Sequence, residues 1–278
     1  MEPESAFARY VAGPEEEWNL AEAALLIAAE AYPALDVGRT LQWLEAQGRI
    51  LRQRLAPLFS PAQVIAAVNR LLFDELGFHG NTESYYDPRN SLLNDVIERR
   101  TGIPITLALV VMDIGARAGL TVEGVGLPGH FIVRVRGEGW QVLLDPFNRG
   151  AELSRYDCEQ LMAQALGRPM PLLPHYLEPV AKRAFLMRML NNLQAVYLQD
   201  RQWARVMATI ANLFSLRPEP SAAAELYRVR GLVHYELGRL GAAEQDWLHY
   251  LTLAPDAPDE RLIRDNIAAI RSEPARRN

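Results

Sequence analysis

Apolar residues recur at helical spacing through the first part of the chain, and prolines and capping residues divide them into separate helices. Pro14, followed by three glutamates, opens a predicted helix that Pro33 ends. Two further helices are predicted over residues 36–55 and 60–76, each opened by a residue that suits an N-cap. The pattern therefore predicts a helical N-terminal cap over residues 1–78 that carries no catalytic chemistry.

A helix that is apolar nearly all round comes next, over residues 105–118, with Pro104 at its start and Gly119 at its end. Asp113 interrupts the apolar run, and Arg117 at i+4 is its expected partner. The period then changes to two, which predicts short strands over residues 122–126, 130–136 and 140–144. A buried helix followed by strands, without regular alternation, indicates an α+β domain with a small antiparallel sheet.

Closely spaced prolines then mark a linker, at positions 169, 171, 174 and 179. The chain is helical again after this linker. We therefore predict a first domain over residues 1–180 and an all-α second domain over residues 181–278.

The second domain repeats itself. Small residues, an aromatic residue and a proline fall at the offsets of the tetratricopeptide signature, at Gly231, Tyr235, Gly238, Ala243 and Pro255. A weaker copy lies 37 residues earlier, with Trp203, Val206 and Pro218 in place of Leu240, Ala243 and Pro255. Two antiparallel helices approach closely at those offsets, which explains the small side chains. Such repeats hold protein or peptide partners, so we expect a partner for this domain.

Composition narrows the class of protein. The formal net charge is −5, and no basic face is evident that would bind nucleic acid or an anionic membrane. Cys158 is the one cysteine, so the chain has no internal disulfide and suits a reducing compartment. No early segment reads as a signal peptide or a membrane span. We expect a cytoplasmic protein that binds neither membrane nor nucleic acid; its oligomeric state is left open.

Two residues of catalytic type follow the buried helix. His130 begins one predicted strand, and Asp145 ends the next. A nucleophile at the start of a central helix, a histidine base and an orienting aspartate form the layout of papain-like enzymes. A four-residue loop, Arg136 to Gly139, places His130 opposite Asp145, whereas a three-residue loop places them on opposite faces. The sequence allows either loop.

Several motifs in this region agree in order and spacing with a known family. The chain resembles the bacterial SirB-one family, and the residues that carry the resemblance are Tyr86-Asp87-Pro88-Arg89-Asn90-Ser91, Asn94, Glu98-Arg99-Arg100, Gly102-Ile103-Pro104-Ile105, Gly124 to Phe131, and Leu144-Asp145-Pro146-Phe147. The resemblance implies a transglutaminase-like domain followed by a tetratricopeptide tail. It implies no particular reaction, because a fold hosts many functions.

The chain departs from the enzyme pattern at the nucleophile. Counting from Ala108 and from Gly119, the cysteine of transglutaminase-like enzymes falls at Pro104, which has neither a nucleophile nor a backbone N–H. An active enzyme of this superfamily would need another group, and Thr106, Cys158 and a water activated by His130 stay open. We therefore lean towards a protein without catalysis, in which His130 and Asp145 are the remnant of a site.

A polar cluster precedes the central helix and is expected to line or close the cleft of this site. Together with the helix start, it gives the candidate cleft residues Tyr86, Asp87, Arg89, Asn90, Asn94, Pro104 and Thr106. No metal-ligand spacing and no phosphate-binding glycine pattern occurs, so we expect neither metal nor cofactor. The sequence thus favours a degenerate transglutaminase-like domain joined to a partner-binding tail. A hydrolase or acyltransferase with a non-standard nucleophile is the alternative.

Overall fold

A computed structural model describes residues 5–56 and 60–272 and shows a mostly helical α+β protein, as the sequence predicts. Six short strands occur within these two described segments: β1 (His79–Gly80), β2 (Thr101–Gly102), β3 (Thr121–Val125), β4 (Ile132–Gly137), β5 (Trp140–Asp145) and β6 (Ala151–Leu153). The α-helices in the described ranges are α1 (Ala6–Val11), α2 (Leu20–Ala31), α3 (Val37–Leu55), α4 (Pro61–Asn69), α5 (Leu93–Arg99), α6 (Pro104–Ala118), α7 (Arg155–Leu166), α8 (Lys182–Gln199), α9 (Trp203–Ser215), α10 (Pro220–Glu236), α11 (Leu240–Leu253) and α12 (Glu260–Ser272).

The chain divides into two compact units. A central unit comprises Gly13–Met189, and a repeat unit comprises Leu190–Asn278 together with Met1–Ala12. Helix α1 was not predicted, and it belongs to the repeat unit rather than to the N-terminal cap. Its N-cap, Ser5, donates a hydrogen bond through Oγ to Oδ1 of Asn212 on α9, at 3.1 Å.

Helix α6 forms the core of the central unit. It begins at Pro104 and ends at Gly119, whose φ of 89° is the left-handed conformation that glycine adopts most easily. Asp113 pairs with Arg117 at 2.6 Å, as predicted, and Arg117 also bonds Glu45 of α3 at 2.8 Å. The polar interruption of this apolar helix is therefore satisfied by an ion pair.

The main sheet is an antiparallel meander in the order β3-β4-β5-β6. Alternate residues of β4, Val133 and Val135, pack in the same apolar core as α6. Ile132 points the other way and packs with Cys158 and Met162 of α7. The sheet is covered on both faces, which explains why Ile132, Val133 and Val135 of β4 are all buried.

The hairpin between β4 and β5 differs from both predicted loops. Val135 pairs with Val142, not with Trp140, and Gly137 pairs with Trp140. Only Glu138 and Gly139 lie between the paired residues, and Gly139 takes the positive φ of 74°. A two-residue loop shifts the register by two positions from a four-residue loop. An even shift leaves every side chain on the face that the four-residue loop predicts.

Besides α1, the described part of the repeat unit contains the second half of α8 with α9, then α10 with α11, and finally α12. Helices α9 and α11 begin at Trp203 and Leu240, which matches the 37-residue offset in the sequence. Gly231 and Ala243 are buried where α10 and α11 pack together, and Gly238 has a φ of 71° at the turn between them. Tyr235 is half exposed and its ring lies 5.6 Å from that of Trp247. Pro255 follows the end of α11.

Two glycines of the repeat unit give a matched pair of substitutions. A Cβ on Gly231 would lie 2.5 Å from the indole of Trp247, whereas a Cβ on Gly241 meets no heavy atom within 4 Å. Gly231→Ala is expected to lower the free energy of unfolding of the repeat unit by about 1–3 kcal/mol, through overpacking. Gly241→Ala is expected to raise it by up to about 1 kcal/mol, through helix propensity.

Thermal and urea denaturation of both variants measures the difference. Equal stabilities would show that Trp247 moves aside without cost and that the close packing of α10 on α11 is not tightly specified.

Candidate functional site

His130 and Asp145 lie together at the ends of β4 and β5. The Nε2 atom of His130 is 2.9 Å from Oδ2 of Asp145. His130 does not belong to β4, which begins at Ile132; it lies in the turn before it, where its N–H donates to the carbonyl of Leu127. The contact is therefore a diagonal one across strand ends, and not the direct cross-strand pair that the four-residue loop predicts.

The carboxylate of Asp145 is fully buried and accepts several further hydrogen bonds. Its Oδ1 accepts from the N–H of Phe147 at 2.9 Å and from that of Asn148 at 3.4 Å. Its Oδ2 accepts from the side-chain amide of Asn148 at 2.6 Å. Because these groups are all donors, both oxygens of the carboxylate act as acceptors.

This network determines the orientation of the imidazole. The Nε2 atom of His130 faces an acceptor and carries the proton, so the lone pair of a neutral ring lies on Nδ1. No hydroxyl or thiol of the described residues makes a hydrogen bond to Nδ1. The side chain is 11% exposed, so a small ligand or water can reach it. The ring is therefore oriented as a general base would be.

Aromatic rings line one side of His130. The ring of Phe147 packs edge-on against His130, at a centroid distance of 6.1 Å. Tyr85 packs edge-on against Phe147 at 6.2 Å, and Tyr86, which is 66% exposed, packs against Tyr85. Burial of Tyr85 raises the pKa of its phenol. These rings give the site an apolar wall.

Arg188, from the first half of α8, lies beside the same residues. Its Nη2 donates to the carbonyl of His130 at 2.7 Å and to that of Leu127 at 3.1 Å. Its guanidinium lies 5.2 Å from the centre of the Phe131 ring. Burial lowers the pKa of Arg188. The sequence did not single out this residue, because the predicted boundary at residue 180 places it in the repeat domain.

Pro104 occupies the first position of α6, where the sequence predicts a missing nucleophile. Thr106, two residues later, is fully buried, and its hydroxyl has structural partners. It donates to the carbonyl of Asn90 at 2.7 Å and accepts from the N–H of Ile103 at 3.2 Å. Thr106 is therefore a helix-capping residue and is wrong as a candidate nucleophile or cleft residue.

The polar cluster before α6 mainly stabilises its own loop. Asn90 is fully buried and donates to the carbonyls of Ser84 and Tyr85, so it does not line a cleft. Asp87 pairs with Arg89 at 2.7 Å, and this hydrogen bonding lowers the pKa of Asp87. Asn94 is partly buried on α5, and its Oδ1 has no hydrogen-bond partner among the described residues.

The surroundings of Cys158 do not favour a nucleophilic thiol. Its side chain is fully buried on α7, and burial, followed by the nearby charge of Asp157, raises the pKa of the thiol to about 11. Roughly one molecule in a thousand would carry a thiolate at pH 8, which is far too few for an activated cysteine.

We expect Cys158 to resist alkylation by iodoacetamide at pH 8 and to react only after unfolding in urea. Cys158→Ser is expected to lower the free energy of unfolding by about 1–2 kcal/mol and to leave binding functions intact. Mass spectrometry of the alkylated protein measures the reaction. Labelling of the folded chain that disappears in His130→Asn would contradict this and restore the thiol as a nucleophile.

Asn148 is the other site residue that sequence reasoning missed. It follows Asp145-Pro146-Phe147, and an aspartate before a proline is a turn signal in which the carboxylate bonds backbone N–H groups ahead of it. That signal accounts for the bonds from residues 147 and 148.

No described group of three or more histidine, cysteine or acidic side chains is placed to hold a metal ion. Across residues 5–56 and 60–272, no helix combines the length and apolarity needed to span a bilayer.

Comparisons with known proteins agree with this architecture. The family model described as Transglutaminase-like superfamily matches residues 39–191, and a tetratricopeptide repeat model matches residues 193–268. The crystal structure of menin aligns with a TM-score of 0.39 and 12% identity over 96% of this chain and 73% of menin, which is too distant to support any inference.

Relatives cover most of the chain. A UPF0162 protein of Xylella fastidiosa (strain 9a5c) is 35% identical over 262 residues, or 93% of this chain and 92% of that protein. A UPF0162 protein of Pseudomonas aeruginosa is 32% identical over 215 residues, covering 75% of this chain and 77% of the relative. Human F-box only protein 21 is 36% identical over 111 residues, or 37% of this chain and 18% of that protein. The predicted resemblance is confirmed, and the chain belongs to the UPF0162, SirB-like family, in which a transglutaminase-like domain precedes tetratricopeptide repeats.

Proposed function

We propose that this protein is a cytoplasmic, non-catalytic binding protein. Its transglutaminase-like domain holds a ligand in the remnant of an active site, and its repeat unit holds a protein partner. The observation that carries the proposal is the site without a nucleophile: Pro104 opens α6, while His130 and Asp145 keep their contact at 2.9 Å.

The surrounding groups support this proposal. The hydroxyl of Thr106 is committed to capping α6, and the thiol of Cys158 is buried with a raised pKa. His130 retains an available Nδ1 beside an aromatic wall, which suits recognition of a polar group on a ligand. The general role of tetratricopeptide repeats in protein interactions supports the second half of the proposal.

An acyl-transfer assay tests the absence of catalysis. The full chain is incubated with a glutamine-containing peptide and an excess of a primary amine, and mass spectrometry detects both the amide product and the hydrolysed glutamate. We expect neither product above the level of a buffer control, for the wild type and for His130→Asn alike. Product that forms with the wild type and is lost in His130→Asn would refute the proposal.

The alternative function is a hydrolase in which His130 activates a water. The free Nδ1 of His130 is the observation that favours it. The same assay decides between the two, because a water-activating histidine yields the hydrolysed peptide without the amine adduct. Asp145→Asn would then reduce the rate as well, since Asp145 orients the ring.

The partner half of the proposal is tested on exposed apolar side chains of the repeat unit. Leu232 on α10 is 41% exposed and Leu262 on α12 is 60% exposed. We expect the doubly substituted Leu232→Glu, Leu262→Glu chain to lose proteins that the wild-type chain captures from an extract. Tyr156→Glu is the control, because Tyr156 is 66% exposed on α7 of the central unit. Capture that is identical for all three chains would contradict a partner site on these helices.

A further inference from the structure

Arg188 carries a positive charge without a counter-charge. Among the described residues, its partners are the backbone carbonyls of Leu127 and His130 and the face of the Phe131 ring. No carboxylate of the described residues forms an ion pair with it, and its Nε and Nη1 atoms have no hydrogen-bond acceptor there. A guanidinium that is largely removed from water is costly unless an anion accompanies it.

The position of Arg188 indicates where such an anion would bind. Its Nη2 is 2.7 Å from the carbonyl of His130, so the guanidinium adjoins the turn that presents the His130 ring. Tyr85 is the ionisable group that influences Arg188 electrostatically, and Tyr85 packs on Phe147, which packs on His130. Arg188, Tyr85, Phe147 and His130 thus form one continuous group around the remnant site.

These residues supply complementary groups for one class of ligand. Arg188 offers the unused N–H groups of Nε and Nη1, and the hydroxyl of Tyr85, which has no partner among the described residues, is a further donor. Asp145, the acid in contact with His130, is fully buried, and its oxygens already accept hydrogen bonds from His130, Phe147 and Asn148. The rings of Tyr85 and Phe147 favour an organic group attached to the anion over a fully hydrated ion.

We propose that Arg188 binds a carboxylate, such as the free C-terminus of a peptide, whose neighbouring apolar group packs on Tyr85 and Phe147 beside His130. This inference rests on the proposed function, since it names the ligand class of the same non-catalytic site. Gly126 is compatible with the assignment, because a Cβ there would lie 3.0 Å from Cγ2 of Val180 and 3.2 Å from Nη1 of Arg188 and would crowd both side chains.

The test is an NMR titration of the full chain with hippurate, a benzoylated glycine with a free carboxylate, observed at the His130 imidazole. The His130→Asn variant identifies those resonances. We expect hippurate to shift them, hippuramide, its neutral amide, to leave them unchanged, and inorganic phosphate to bind at least about tenfold more weakly than hippurate. Arg188→Gln is expected to weaken hippurate binding at least about tenfold, and Arg188→Lys by a smaller factor, because a lysine keeps the charge without the fork.

Arg183→Gln is the matched control on the same helix, since Arg183 pairs with Glu15 at 3.1 Å and takes no part in the site. It is expected to bind hippurate like the wild type. Tyr85→Phe removes only a hydroxyl, so it tests the site even if the arginine variants fold poorly. We expect it to weaken hippurate binding several-fold.

Three results would overturn the inference: no shift with hippurate, equal shifts with hippuramide or phosphate, or undiminished hippurate binding by Arg188→Gln. Each of them leaves the non-catalytic proposal standing, because that proposal is decided by product formation in the acyl-transfer assay. Conversely, product formation with intact hippurate binding would refute the non-catalytic function and retain the carboxylate site.

Discussion

Asp145→Ala is expected to lower the free energy of unfolding of the central unit by about 3–5 kcal/mol, the largest stability effect that we expect from one substitution. The carboxylate is fully buried and accepts hydrogen bonds from His130, from the N–H of Phe147 and from Asn148. Alanine leaves these donors without an acceptor, and each unsatisfied buried donor costs about 1–3 kcal/mol.

Urea denaturation measures the loss, and amide hydrogen exchange at Phe147 and Asn148 locates it. Asp145→Asn is expected to lose roughly half as much as alanine, because the amide oxygen still accepts while the charge is gone. Glu152→Ala is the matched control on β6: Glu152 is exposed, and its removal is expected to change the stability by less than about 0.5 kcal/mol. Equal losses at residues 145 and 152 would show that the Asp145 network does not stabilise the fold.

The sequence was sufficient for the elements with strong local signals. Pro104 and Gly119 bound α6 because proline suits a first helical position and glycine suits a left-handed cap. Asp113 forms an ion pair with Arg117 because residues four apart share a helix face. The repeat offsets predicted the start of α11 relative to α9, because closely packed helices need small residues at fixed positions.

The length of the β4–β5 loop could not be predicted from local sequence signals. Two glycines, Gly137 and Gly139, lie in the turn region, and either can adopt the conformation that a loop needs. In the structure only Gly139 has a positive φ, while Gly137 stays in β4 opposite Trp140, where a Cβ would lie 2.3 Å from the indole. The packing of Trp140 therefore selects the two-residue loop, and a tertiary contact of this kind is not visible in a residue pattern.

Long-range placement accounts for the other differences. Helix α1 packs in the repeat unit although it comes first among the helices of the described residues, and Arg188 joins the site from a helix beyond the predicted domain boundary. Neither segment carries a motif. Their partners lie far away in sequence, as Ser5 and Asn212 do, so only the folded structure brings them together.

The second large effect concerns the position of the missing nucleophile. Pro104→Cys, made in a Cys158→Ser background so that one thiol is measured, is expected to give a thiol whose pKa is below the ordinary value of about 8.5. The first turn of α6 has unpaired N–H groups and the positive end of the helix dipole, both of which stabilise a thiolate. A histidine held by Asp145 is expected to add a proton acceptor or a cation to the same region.

The pH dependence of iodoacetamide alkylation measures this pKa. With His130 in place, we expect half-maximal reactivity at least about one pH unit below 8.5, and a rise of the midpoint towards 8.5 in the additional His130→Asn variant. Burial of position 104 raises the thiol pKa, whereas the helix N-terminus and His130 lower it. The measured midpoint shows which of these effects is larger. The chain should stay folded, because loss of a proline at a compatible position costs about 0.4–1 kcal/mol. A midpoint at or above 8.5 that does not respond to His130→Asn would mean that Pro104 and His130 do not share a site. The position that matches the cysteine of transglutaminase-like enzymes would then lie elsewhere than at the start of α6.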